Sequence, residues 1–226
     1  MAEQLSFDLP SKPALGREDF FISPSNSLAV AMVENTASWP SGKLILSGPA
    51  GSGKTHLAHV WVAQTGATII SATDLKADDV PDLSQGALVI EDVPLIAADT
   101  TAQDALFHLH NLLLAHGHSL LMTGRGAPRH WMMSLPDLQS RLEGTQNVTL
   151  DPPDDTLLSA VLAKLFADRQ IKPKADVIPY LMTRMERSFD TAQSLVAKLD
   201  HASLTEGRSL TRRFASQLLG ADENSA

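Results

Sequence analysis

The sequence predicts an α/β domain built on a parallel sheet, followed by a small all-helical bundle. Two observations carry this. Short β-rich apolar runs alternate with helical stretches over residues 1–153, and after Pro152-Pro153 only helical periodicity remains. Strands alternating with helices imply crossover connections, hence a parallel sheet with helices on both faces. Two consecutive prolines continue neither a helix nor a central strand, so they mark the boundary.

The elements follow in order. Residues 1–19, with Pro10, Pro13 and Gly16, read as a flexible arm. Apolar runs at 44–46, 67–70, 88–90, 120–122 and 148–150 read as strands, and 27–38, 54–65, 101–116 and 134–143 as the helices between them. Beyond the prolines, Leu157, Leu158, Val161, Leu162, Leu165 and Phe166 form an apolar stripe at helical spacing. Val177, Ile178, Leu181 and Met185 predict a second helix, Phe189, Leu195, Val196 and Leu199 a third, and Phe214, Leu218 and Leu219 a fourth. The expected organisation is an arm (1–19), an α/β domain (20–153), a helical domain (154–219) and a tail (220–226).

Composition narrows the function. The 226 residues carry 18 Lys+Arg against 26 Asp+Glu, a net charge of −8, and no cysteine. Disulfides, thiolate metal sites and a cysteine nucleophile are excluded. No apolar run approaches the roughly 18 residues of a membrane span. The acidic first residues lack the basic and apolar regions of a signal peptide, so a cytoplasmic protein is expected. The charge is uneven. Residues 1–153 hold 8 basic and 16 acidic groups, whereas residues 154–219 hold 10 basic and 8 acidic. The acidic excess argues against a dedicated nucleic-acid binder.

The most specific motif is Gly48-Pro49-Ala50-Gly51-Ser52-Gly53-Lys54-Thr55, which fits G-x-x-x-x-G-K-[ST] in full. A predicted strand precedes it and a predicted helix follows. Glycines let backbone N–H groups converge on phosphate oxygens, and the helix N-terminus adds a favourable dipole. Lys54 supplies a point charge for the β/γ-phosphates, and the Thr55 hydroxyl suits Mg²⁺. Downstream, Ala87-Leu88-Val89-Ile90-Glu91-Asp92 supplies a strand ending in two acids. The first acid of such a strand orders Mg²⁺ and the second positions water. Here Glu91 stands where Asp is usual, so Thr55 and Glu91 are the expected Mg²⁺ holders. His108, His110, His116 and His118 cluster near a predicted helix end without an acid at ligand spacing. They read as helix-terminal histidines favoured by the dipole rather than as a metal site.

These motifs and several further segments resemble the AAA+ module of the bacterial replication initiator DnaA, and more closely its short regulatory Hda-type homologues. The segment Phe20-Phe21-Ile22-Ser23-Pro24-Ser25-Asn26 resembles the family's lead-in, which packs on adenine. The phosphate loop continues into His56-Leu57 as in the family. Residues 121–128, including Thr123, resemble the sensor-1 strand and its loop. Leu135-Pro136-Asp137-Leu138-Gln139-Ser140-Arg141-Leu142 resembles the arginine-finger box, and residues 199–203 the end of the third lid helix. Gln4-Leu5-Ser6-Phe7-Asp8-Leu9 looks like a sliding-clamp-binding peptide, with Gln4 for hydrogen bonding and Leu5, Phe7 and Leu9 as apolar anchors.

The resemblance implies bound ADP or ATP with Mg²⁺, held by Phe21, Ile22, Asn26, the residues from Gly48 to Thr55, and His56. It implies Glu91, Asp92 and Thr123 around the phosphates, and Arg141 presented to a nucleotide on another subunit. Three positions depart from the family: Glu91, Arg125 where an Asp is usual, and Asp190 where the sensor-2 arginine is expected. Arg187, one helical turn earlier, is the candidate replacement. Weak intrinsic hydrolysis is therefore expected.

The implied partners are DnaA and the β sliding clamp, with a possible homo-oligomer, indirect DNA contact and no membrane. The DNA-binding domain that follows the lid in the initiator is expected to be absent. The implied output is hydrolysis of ATP on DnaA and suppressed re-initiation. Two alternatives remain open at this point: an independent P-loop ATPase acting as a loader or remodeller, and an initiator module without its DNA reader.

Overall fold

The structure, a computed structural model, describes residues 20–223. The arm with its clamp-peptide residues Gln4, Leu5, Phe7 and Leu9 lies outside the described residues. Five parallel strands form one sheet in the order β2-β3-β4-β1-β5. They are β1 (Lys43–Ser47), β2 (Thr68–Ser71), β3 (Leu88–Glu91), β4 (Leu120–Gly124) and β5 (Asn147–Thr149). Each overlaps one of the predicted runs. In register, Lys43 faces Leu120 and Ser47 faces Gly124 across β1 and β4.

Strand periodicity of two sorts the core into two layers. Leu44 and Leu46 of β1, Val89 of β3, Leu121 of β4 and Val148 of β5 point to one face. There they meet α1 (Ser27–Glu34) and α2 (Lys54–Thr65), with Trp61 fully buried. Ile45, Leu88, Ile90, Leu120 and Met122 point to the other. There they meet α3 (Val80–Leu83), α4 (Thr100–His116) and α5 (Pro136–Gly144). Burial on both faces explains why the strands read as continuous apolar runs rather than alternating ones.

After Pro152-Pro153 come α6 (Asp155–Asp168), α7 (Val177–Met182), α8 (Phe189–Glu206) and α9 (Arg212–Glu223). They close on a separate core around Leu158, Leu162, Phe166, Leu181, Val196 and Phe214. The Asp154 side chain caps α6 by accepting from the Leu157 N–H at 2.8 Å. Ser188 caps α8 by accepting from the Thr191 N–H at 3.3 Å. Two expectations change. The first helix stops at Glu34, because Asn35 leaves the helical region (φ −100°, ψ 61°) and a 3₁₀ turn follows at Thr36–Ser38. The second lid helix stops at Met182, short of Met185.

Candidate functional site

The phosphate loop leaves the carboxyl end of β1 and enters α2 at Lys54, so the loop's backbone N–H groups and the helix N-terminus point the same way. Gly51 (φ +63°) and Gly53 (φ +96°) both occupy the left-handed region. A side chain at Gly51 would collide with Ser188 Oγ, and one at Gly53 would press on the Phe189 ring at 3.1 Å. The lid therefore rests directly on the loop, and the Phe189 N–H donates to the Gly51 carbonyl at 2.8 Å. Lys54 is buried, and its Nζ donates to the carbonyls of Gly48 (3.0 Å) and Pro49 (2.6 Å). Burial lowers the pKa of its ammonium. Asp92, Asp190 and Glu91 oppose that shift, while Arg125 reinforces it.

A cleft of about 710 Å³ opens between this loop and the lid. Its size suits a nucleotide-class ligand, for which roughly 300–1,000 Å³ is usual. Phe20, Phe21, Gly51, Gly53, Thr55 and His56 line one wall. The α6 face Leu157, Val161, Lys164, Leu165 and Asp168 lines the opposite one, with Phe189 and Asp190 of α8 beside the phosphate loop. Phe20 is buried and meets His56 edge-to-face, with ring centroids 5.0 Å apart.

The predicted residues divide. The cleft takes in Phe21, Ala50, Gly51, Gly53, Lys54, Thr55, His56 and Asp92. Ser52 is buried within the loop, where its Oγ donates to the Pro49 carbonyl at 3.0 Å and braces the turn. Asn26 is buried in the lead-in rather than exposed to the cleft. Its Oδ1 accepts from the Ser23 N–H and its Nδ2 donates to the Phe21 carbonyl, both at 2.9 Å, so it fixes the turn that carries Phe21. Ile22 is exposed and does not line the cleft. Arg187 also lies outside the lining residues, because its guanidinium pairs with Asp155 at 2.9 Å on the surface. Asp190 takes the place beside the phosphate loop instead.

Thr123 is buried, and its Oγ1 accepts from the Asp92 N–H at 3.2 Å. That bond helps hold Asp92 in its left-handed conformation (φ +55°). Glu91 carries an orphaned oxygen: Oε1 is buried without a hydrogen-bond partner. Glu91 is not among the residues that line the cleft, whereas Thr55 is; a buried, unpaired carboxylate oxygen and a hydroxyl are each ligand types that suit a hard divalent cation.

The sequence placed Phe20 in the adenine-packing segment and Arg125 in the sensor-1 loop without naming either as a binding residue, and it gave no sign of Phe189 or the outer face of α6 as cleft residues. The α6 face was detectable, since Leu157, Val161, Leu165 and Asp168 recur at three- or four-residue spacing beside the Leu158-Leu162-Phe166 core stripe. Phe20 sits in an irregular segment without periodicity, so nothing distinguished it from Phe21.

Arg141 stands apart from the cleft. It is exposed on α5, and its Cζ lies 5.1 Å from the Phe107 ring centroid on α4. Among the described residues it forms no ion pair. Asp137 does not take it, and Glu143 accepts instead from Gln139 Nε2 at 2.6 Å. Burial lowers the pKa of Lys43, at the start of β1, and among the described residues the charge of Arg141 lowers it further. Arg141 thus lies toward the end of β1 opposite the phosphate loop.

The histidine cluster needs correction. His110 lies inside α4, buried, with neither ring nitrogen hydrogen-bonded. Only His116 occupies the helix end, where its Nδ1 lies 2.9 Å from the Ser84 carbonyl. Among the described residues no group of three His, Asp or Glu side chains is placed to hold a metal.

Comparison with known proteins agrees with this geometry. Residues 155–219 match the family model described as "Hda, lid domain". Domain III of the Thermotoga maritima replication initiation protein DnaA superposes with a TM-score of 0.80 at 22% identity, covering 94% of this chain and 98% of that one. A replication initiator DnaA bound to AMPPCP and single-stranded DNA gives 0.67 at 21% identity, covering 87% and 69%. A mutant form of Thermotoga maritima RuvB gives 0.66 at 16% identity, covering 87% and 66%. The chain thus has the fold seen in domain III of DnaA, and residues 155–219 match the lid domain of the Hda family.

Proposed function

We propose that this chain is a regulator of replication initiation that binds adenine nucleotide with Mg²⁺ in the cleft and promotes ATP hydrolysis on DnaA in trans. The observation that carries the reading is Arg141. It is an exposed guanidinium, steadied by the Phe107 ring and unclaimed by any acid among the described residues. Its position toward the far end of β1 keeps it from its own phosphate loop and leaves it available to another subunit. A guanidinium delivered to a partner's γ-phosphate contributes about 10³–10⁵ in rate in other systems.

In the cleft, Lys54 and the loop N–H groups hold the phosphates, while Phe20, Phe21 and the α6 face flank the base. Glu91 and Thr55 would hold Mg²⁺, which would supply neutralisation of phosphate charge. Arg125 and Asp190 replace groups that serve hydrolysis in relatives, so bound nucleotide turns over slowly. Gln4, Leu5, Phe7 and Leu9 dock on the β sliding clamp, which brings the protein to DNA.

The test is hydrolysis of ATP by DnaA with the protein added, with and without clamp loaded on DNA. Acceleration only with clamp, and little turnover by the protein alone, is expected. Robust turnover by the protein alone, with no effect on DnaA, would instead favour an independent ATPase.

A further inference from the structure

Arg125 is a cleft residue whose backbone the fold uses and whose side chain it does not. It follows Gly124, the last residue of β4. The Gly124 carbonyl accepts from the Gly48 N–H at 3.3 Å, so β4 ends against the first residue of the phosphate loop. The buried Trp131 donates its indole N–H to the carbonyls of Arg125 (2.9 Å) and Gly126 (3.0 Å), which braces the turn beyond the strand. Arg125 is the first exposed residue past β4, and it lines the cleft. Among the described residues its guanidinium has no ion pair or hydrogen bond. Asp92 and Asp190 line the same cleft, yet neither takes it.

Asp190 approaches the phosphate loop from the lid. A Cβ added at Gly51 would lie 3.2 Å from its carboxyl carbon, and the neighbouring Phe189 N–H is bonded to the Gly51 carbonyl at 2.8 Å. Two opposite charges thus stand beside one loop, Arg125 from the sheet and Asp190 from the lid. Both are felt at Lys54, where Asp190 raises the ammonium pKa and Arg125 lowers it. Phosphates seated on the loop N–H groups already have Lys54 and the N-terminus of α2 as partners. A free guanidinium on a different strand suits a phosphate that projects beyond them.

We propose that Arg125 is a specificity-determining ligand for the outermost phosphate of a triphosphate tail, opposed by Asp190 from the lid. The assignment rests on the reading of the cleft as an adenine-nucleotide site. A γ-phosphate gains from Arg125 and loses to Asp190, so the balance of these two charges sets the preference between diphosphate and triphosphate. The lid carboxylate alone would bias the cleft toward diphosphate, and Arg125 restores room for the third phosphate charge.

Calorimetric titration of the full chain with ADP and with AMPPCP, each with Mg²⁺, tests this in wild type, Arg125→Gln and Arg125→Lys. The readout is the ratio of the two affinities, from which any general weakening of the cleft cancels. In Arg125→Gln the ratio is expected to move at least about tenfold toward ADP, as loss of one charge beside a partly screened phosphate predicts. Arg125→Lys keeps the charge, and its ratio is expected to lie between those of wild type and Arg125→Gln. The unfolding midpoint of the nucleotide-free protein is expected to stay at the wild-type value in both, because only the backbone of residue 125 is bonded within the fold. A ratio unmoved in Arg125→Gln would overturn the proposal, and so would an Arg125→Lys ratio equal to that of Arg125→Gln. If wild type binds both nucleotides and the ratio does not move, only this assignment fails. If wild type binds neither, the nucleotide reading fails and this assignment with it.

Discussion

Two titratable residues sit where habit would not place them. Asp190 presents a carboxylate to the phosphate loop, where its charge acts on Lys54. A carboxylate there opposes the extra negative charge of a γ-phosphate more than it opposes a diphosphate. Asp190→Arg is expected to shift the ratio of ATP to ADP affinity toward ATP by about tenfold, a size typical of one charge near a half-screened site. Calorimetric titration with each nucleotide measures this, and an unchanged ratio would show that Asp190 plays no part in selection. His110 is the second case. The unfolded chain binds its proton near pH 6.5, the folded chain only near 4. Between those values the unfolded state holds more protons, so stability falls as pH falls. The full effect is up to about 3 kcal/mol. His110→Leu removes it, and chemical denaturation at steps from about pH 7 to about pH 4.5 is expected to show a flatter curve than wild type. Parallel curves would mean that the ring titrates freely.

At the scale of elements, the capping of α6 links the two parts of the site. The Asp154 carboxylate accepts from the Leu157 N–H, and hydrogen bonds there and from Ser23 and Ser25 hold its pKa below the usual carboxylate range. One side chain thus ties the start of the lid to the lead-in that carries Phe20 and Phe21. Asp154→Ala is expected to cost about 1 kcal/mol in unfolding free energy. It is also expected to weaken nucleotide binding, because α6 supplies one wall of the cleft. Loss of stability with unchanged affinity would confine the residue to capping.

The same scale shows what could be read from sequence. All five strands and α2 were legible, because apolar runs bounded by glycine and polar residues have few other solutions in a parallel sheet. The four-residue α3, which begins Val80-Pro81, was not. It is too short to show a period. The phosphate loop was legible because its backbone conformation demands particular residues. Arg187 and Asp190 were harder: one helical turn separates them, and only the packing of α8 on Gly51 decides which one faces the phosphate loop. His110 looked like a member of a helix-end cluster, since sequence spacing does not reveal which face of α4 turns inward.

For the whole molecule, the central claim is a division of labour between two ends of one sheet. The carboxyl end of β1 carries the phosphate loop under the lid, and Arg141 lies toward the other end, turned to solvent. The net charge of −8 fits the proposal that DNA is reached through partners rather than by the protein's own surface. The most direct measurement is single-turnover hydrolysis of ATP pre-bound to DnaA, in the presence of clamp on DNA, comparing wild type with Arg141→Ala. The account predicts strong acceleration by wild type and at least a roughly thousandfold loss of it with Arg141→Ala, while ADP affinity of the variant stays near wild type. Acceleration that survives Arg141→Ala would contradict the account.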